Sequence, residues 1–252
     1  MFSKFIIDYK TNVFEELSKS TKFEDITNGR QGAILIDVKN CLTPIVRTTT
    51  IYNKPSQTFN PIHYEIVEKI RAATNMKDLN FNNALIEIYD SKYTTMGFHS
   101  DQAQDLDENS FICLFSVYDN ASNICDSDIR KLVIKNKQTN ESSEVVLDHN
   151  SIVLFSLKTN SEYMHKIILE SNKSNNKWLG ITFRLSKTFI KFINEIPYFT
   201  NGKELVLADE NEKKEFYKFR GQENKLIDYK YPELYYTISK SDMLPTQTSG
   251  LV

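Results

Sequence analysis

The sequence predicts an α+β fold: a double-stranded β-helix, or jelly-roll, core buttressed by N-terminal helices and followed by a C-terminal extension. Three observations carry this reading. The hydrophobic period changes from 3.6 to 2 at about residue 83. From there on, short β-prone runs alternate with turns rich in Asn, Ser and Asp. The helical patterns come first in the chain, so they would cover one face of whatever the strands build. Many short strands with turn signals between them point to a sandwich or barrel.

Taken in order, the first thirty residues read as helix and then loop, because Phe5, Ile6, Tyr9, Val13, Phe14 and Leu17 recur at helical spacing. Residues 33–38 form a short apolar run after Gly32, and 45–52 are rich in Thr and Ile; both read as strands. Residues 61–73 read as a helix, with Asn60 as cap, Pro61 at the first helical position, and Ile66, Val67 and Ile70 facing inward. The strand series then runs through 84–89, 111–118, 131–135, 144–147, 152–157, 164–169 and 179–183. This assigns 1–187 to a core with its N-terminal helices and 188–252 to an extension docked on it. Within the extension, 209–221 is a charged helix candidate, 229–236 is aromatic and broken by Pro232, and the last dozen residues read as frayed.

Composition narrows the classes. Apolar residues make up 40% and charged residues 25%, so a core can form without staples. Lys+Arg total 31 against 33 Asp+Glu, which argues against a global basic field and leaves only a local one open. The cysteines, Cys41, Cys113 and Cys125, form an odd set without CxxC spacing, which favours a reducing, intracellular setting, cytoplasmic or nuclear. The N-terminal segment lacks the apolar run of a signal peptide, and no eighteen-residue apolar stretch occurs, so no membrane partner is expected.

There are four histidines. In Gly97-Phe98-His99-Ser100-Asp101 an imidazole and a carboxylate lie two positions apart, which on an extended strand places both on one face. A second histidine from a later strand would complete a 2-His-1-carboxylate face, an arrangement that leaves positions open on Fe(II). His165, at the start of an apolar strand, is that candidate; His149, in Asp148-His149-Asn150, competes but reads as a turn. His63 reads as a residue of a helix surface or first turn. Taken alone, a loop histidine and a turn or capping aspartate would look the same as His99 and Asp101. Downstream, Arg184 in Gly180-Ile181-Thr182-Phe183-Arg184 could hold a carboxylate through a bidentate contact.

The order of these motifs, a strand ending in Tyr89, then GxHxD, a "SIVLF" strand, YxHxI and a final TFR, resembles the AlkB-like branch of the 2-oxoglutarate- and Fe(II)-dependent oxygenases across about residues 45–186. The resemblance implies Fe(II) on His99, Asp101 and His165, with 2-oxoglutarate as co-substrate held by Arg184 and Tyr89, and O2 as oxidant. It also implies a lid carrying Arg47 and Tyr52 over the substrate, with Arg130 as a further candidate for the substrate side. The sequence departs from the family pattern at several positions. Trp178 stands where a second arginine is usual, Gly180 where an asparagine is usual, and Glu87 where an asparagine precedes the tyrosine. Lys177 or Arg130 would then have to supply any second positive charge. Ala103 stands where nucleic-acid demethylases of this branch often carry an acid. Ala103 weakens the case for a methylated base, but the AlkB-like order of motifs still implies a nucleic-acid base or its alkyl group as the expected macromolecular substrate. The alternatives are a protein side chain and, more remotely, a non-catalytic cupin-type binding domain.

Overall fold

The computed structural model describes residues 1–171, 173 and 175–247. Strand alternation builds its core. In the large sheet the neighbours are, in order, Ser3–Ile6, Ser151–Ser156, Phe111–Tyr118, Trp178–Arg184, Asn83–Tyr89, Arg30–Ile36 and Glu24–Thr27, with Gln57–Thr58 added beside Arg30–Ile36. Successive side chains on each strand point to opposite faces. On one face Cys113, Phe115, Ile181 and Phe183 pack with the helices α1 (Val13–Ser20) and α2 (Pro61–Thr74) through Leu17, Ile66 and Ile70. On the other, Leu114, Val153, Phe155 and Trp178 pack with Leu132, Ile134, Leu147 and Ile167 of a smaller sheet. That sheet runs Tyr163–Leu169, Arg130–Asn136, Ser142–Leu147, all antiparallel. The result is a two-sheet jelly roll with helices on its outer face, as the sequence predicts.

Three local expectations are corrected. The first is at the N-terminus, where only Val13–Ser20 is helical, capped by the Asn12 side chain, which accepts from the Phe14 N–H. Ser3–Ile6 is instead an edge strand whose Phe5 lies opposite Ile152. Its apolar residues satisfied a helical spacing by coincidence, and an unpaired sheet edge took them. The second correction concerns residues 45–52, which form no strand; only Thr43–Pro44 pairs, with Phe189 and Ile190. Third, the tail is not frayed as far as residue 247. Ser241 and Asp242 are buried, the Ser241 N–H donates to the Tyr52 carbonyl, and Gln247 pairs with Gln57. Residues 248–252 lie outside the described residues.

Helix α2 begins as its sequence suggests, with Asn60 at the cap and Pro61 at the first position. His63 closes the capping box: its Nδ1 accepts from the Asn60 N–H at 3.0 Å. The ring belongs to the first turn but is buried, not on the helix surface. Burial pushes its pKa down to about 4. In the unfolded chain a histidine titrates near 6.5, so below that pH the unfolded state binds a proton that the folded state refuses. Stability from this group is complete above about 6.5, falls between about 6.5 and 4, and is level below. The loss approaches about 3 kcal/mol. Urea midpoints followed from pH 7 to 4 should fall for the parent protein and fall less for His63→Gln. Equal slopes would remove His63 as the source.

Candidate active site

The segment 94–99 runs antiparallel to Tyr163–Leu169. The Leu169 N–H donates to the Thr94 carbonyl at 2.7 Å, and His99 and His165 exchange two backbone hydrogen bonds, of 3.0 and 2.6 Å. Directly opposed residues of such a pair project to the same side. The two imidazole centroids are 4.7 Å apart as a result. Asp101, two positions on, brings Oδ1 to 4.0 Å from His99 Nε2 and 3.5 Å from His165 Nε2. One ligand atom from each of the three residues lies within 4.8 Å of the others.

The protonation states suit a cation. His99 Nδ1 is 2.9 Å from the Gly97 carbonyl, which only accepts, so the proton sits on Nδ1 and the Nε2 lone pair faces the cluster. Burial, and then the neighbouring His165, push the His99 pKa down to about 3. Burial works to raise the Asp101 carboxyl, but the adjacent His165 imidazole, 3.5 Å away, and the charge of Arg184 hold it below the ordinary carboxylate range. A neutral His99 imidazole beside an ionised carboxylate is a form that binds a metal. Asp101 Oδ2 and His165 Nδ1 are buried with no hydrogen-bond partner. The Asp101 backbone is fixed from α3 (Leu157–Glu162), where Asn160 Oδ1 accepts its N–H at 2.7 Å and Asn160 Nδ2 donates to its carbonyl at 2.8 Å.

Arg184 lies on the inner face of its strand, buried, in the cavity wall that also holds Asp101. Its Nη2 makes one long bond, 3.3 Å, to Asn83 Oδ1, and its Nε has no partner. Burial pushes its pKa down, and Asp101 is the largest charge opposing that shift. A buried guanidinium so thinly paired is suited to an incoming carboxylate.

The departures from the family pattern have structural consequences. A Cβ on Gly180 would lie 2.1 Å from the Trp178 ring, so the missing side chain at 180 makes room for the tryptophan. Glu87 lies beside Arg30, whose Nε and Nη2 donate to its Oε1 at 2.9 and 2.5 Å. Tyr89 donates its hydroxyl to Glu87 Oε2 at 2.5 Å, and Tyr52 donates to Oε1 at 3.2 Å. The cation that accompanies Glu87 in the cavity wall is thus Arg30, and neither Lys177 nor Arg130 lines that wall.

A cavity of about 630 Å³ opens on these groups. His99, Asp101, His165, Arg184 and Tyr89 line it, whereas Arg47, Tyr52 and Arg130 do not. Arg47 is buried against Asp105 at 2.7 Å and donates to the Leu234 and Tyr236 carbonyls, so it ties the 45–52 segment down. Tyr52 is buried behind Glu87. Arg130 donates to the Tyr93 and Asp90 carbonyls and stacks on Tyr89 and Trp178, with its guanidinium 5.2 and 6.0 Å from the rings. Thr48, Thr49 and Thr50 take the wall position expected of Arg47 and Tyr52. His149 stands apart, accepting the Tyr118 N–H on Nδ1.

The model of the 2OG-Fe(II) oxygenase superfamily matches residues 38–185, more than half of the chain and all of the motifs above. The chain belongs to that superfamily. No curated protein matches it. Among solved structures it is similar to OsALKBH1, with 14% sequence identity over 73% of this chain and 96% of that one and a TM-score of 0.50. The shared feature is the fold, which is AlkB-like. The oxygenase is thus an Fe(II)- and 2-oxoglutarate-dependent dioxygenase that uses O2. The residues present fit these groups: unpartnered Asp101 Oδ2 within the ligand cluster suits a cation, and unpartnered Arg184 Nε suits a carboxylate. No helix among the described residues is long and apolar enough to cross a membrane.

Sequence reasoning missed Arg30, Asn160 and Asn224, and it read Tyr217 and Arg220 as part of the charged helix candidate of the extension without placing them in the site. Arg30 reaches the cavity because its strand pairs with Asn83–Tyr89 in the register Arg30↔Tyr89, which no local pattern announces. Asn160 sits in a short helix between two strands and carries no motif.

Proposed function

We propose that this oxygenase oxidises a C–H bond on a nucleic-acid base or on an alkyl group attached to it. The supporting observation is at the cavity wall, where the Phe98 ring has two ammonium groups over it, Lys166 at 4.7 Å and Lys135 at 5.9 Å. Among the described residues neither lysine is in an ion pair. Tyr217 lines the same cavity, with 46% of its surface exposed. Aromatic faces take an unpaired base, and nearby ammoniums take phosphate. A local basic strip of this kind is compatible with a net charge of -2.

In this reading His99, Asp101 and His165 hold Fe(II). Arg184 pairs with a carboxylate of 2-oxoglutarate, and the Tyr89 hydroxyl stands beside it. When bound, Fe(II) with 2-oxoglutarate and O2 supplies the oxidising chemistry and yields succinate and CO2. The chain's part is to orient the target and exclude water. Residues 1–187 make the core, and 188–252 make a docked extension that contributes the Tyr217 wall. Ala103 favours a second reading, hydroxylation of a protein side chain, because no acid stands two positions after Asp101 to meet a base.

Succinate release by the Fe(II)-loaded full chain tests the choice, with single-stranded oligonucleotides carrying N-alkylated bases compared against peptide pools. Release coupled to the oligonucleotides, and weakened by Phe98→Ala, is expected. Coupling to peptides alone would establish the second reading instead.

A further inference from the structure

Between the His99–His165 and Leu106–Ser186 bridges the loop that carries Asp101 keeps one contact to a strand, the Ser100 hydroxyl donating to the Tyr163 carbonyl at 2.9 Å, yet its backbone is tightly held. The partners come from helix α4 (Glu210–Glu223) and the residue that follows it. Asn224 Oδ1 accepts the Ser100 N–H at 3.0 Å. Arg220 Nη2 donates to the Ser100 carbonyl. Glu223 Oε1 accepts the Ala103 N–H at 2.8 Å. Glu223 Oε2 is in turn held by Arg220 Nη1 at 2.6 Å and by the Tyr231 hydroxyl at 2.7 Å. Lys137, at the end of its strand, donates to the Glu223 and Leu226 carbonyls at 2.8 and 3.2 Å, which anchors the end of the helix to the small sheet. Ser100, Arg220 and Glu223 are all buried.

We infer that Arg220, Glu223 and Asn224 are positioning residues that set the direction of the Asp101 carboxylate and so the affinity of the metal site. The residues on both sides of Asp101 are fixed by one helix end, while Asn160 fixes Asp101 itself. Once the helix contacts were lost, only Asn160 and the Ser100 hydroxyl would be left to hold the carboxylate toward His99 and His165. Charged partners inside a buried network are strong only when the whole network is complete. Groups that orient metal ligands typically change metal affinity by about 10- to 100-fold when removed. The C-terminal extension then does more than cover the barrel, because it completes the metal centre from outside the segment that carries the ligands.

This inference rests on the reading of Asp101 as a metal ligand, so Asp101→Ala is measured alongside. The experiment is titration of the full-length chain with Co(II), followed by its visible d–d absorption, with circular dichroism as the check of folding. Glu223→Ala is expected to weaken Co(II) binding about 10- to 100-fold. Asn224→Ala loses one neutral hydrogen bond and is expected to weaken it about fivefold. Both should alter the d–d spectrum at saturation. Lys218→Ala, exposed on the same helix, should match the parent. Should Glu223→Ala fail to fold, Asn224→Ala decides. Co(II) affinity within twofold of the parent in the folded variants, with Asp101→Ala impaired, overturns the positioning role alone. Unimpaired binding by Asp101→Ala overturns the metal-site reading itself, and the inference with it.

Discussion

Asp101→Ala is expected to abolish turnover while leaving the jelly roll folded, and His99→Ala and His165→Ala are expected to do the same. The three side chains are the only cluster of metal-binding type among the described residues, with ligand atoms within 4.8 Å of one another. Each supplies a different corner of a facial set. Loss of one leaves two protein ligands and an extra open position, which neither retains Fe(II) nor fixes where the co-substrate chelates. Folding should survive because the three ligand side chains face the cavity and belong to neither hydrophobic cluster, the one around Ile66 or the one around Leu132. Succinate release and circular dichroism on the same samples check both halves. His149→Ala is the control and should remain active, because its ring caps the Tyr118 N–H away from the cavity. Loss of metal in His149→Ala but not in His165→Ala would reverse the assignment.

Arg184→Leu should weaken 2-oxoglutarate binding by about 30- to several thousand-fold, the equivalent of about 2–5 kcal/mol for removing one member of a buried charge pair. The reason is the environment of Arg184: a buried guanidinium with one long bond to Asn83 and an unpartnered Nε is suited to an anion. Tyr89→Phe should cost less, on the order of 1 kcal/mol, since it removes a single neutral donor. That donor points to Glu87 in this structure, at 2.5 Å, so 2-oxoglutarate has to share it with a carboxylate. Calorimetric titration of 2-oxoglutarate against Mn(II)-loaded protein separates the two effects. Equal affinity in the parent and in Arg184→Leu would remove Arg184 from the co-substrate site.

Legibility in the sequence followed the range of the interactions. Period-2 runs are local, so strands such as Phe111–Tyr118 and Trp178–Arg184 fall within a residue or so of where the pattern placed them. Helix α2 was legible through Asn60 and Pro61, whose backbone preferences act within one turn. The reading of residues 45–52 as a strand failed because β-propensity there is overridden by Arg47, whose partners Asp105, Leu234 and Tyr236 are remote in sequence. Residues 3–6 failed for a related reason: a short apolar run fits both periods, and the exposed edge at Ile152 decided between them.

By itself, the sequence determined the double-stranded β-helix, the family, and a candidate ligand set, because HxD on an extended segment puts two donors on one face whatever surrounds it. The tertiary structure decided what the carboxylates and cations of the site are doing. Register placed Arg30 beside Glu87, burial took Arg47, Tyr52 and Arg130 out of the cavity, and chain return brought Arg220, Glu223 and Asn224 back onto the loop of Asp101. Those pairings join residues far apart in the chain. Their energies depend on burial and distance, neither of which a linear pattern encodes.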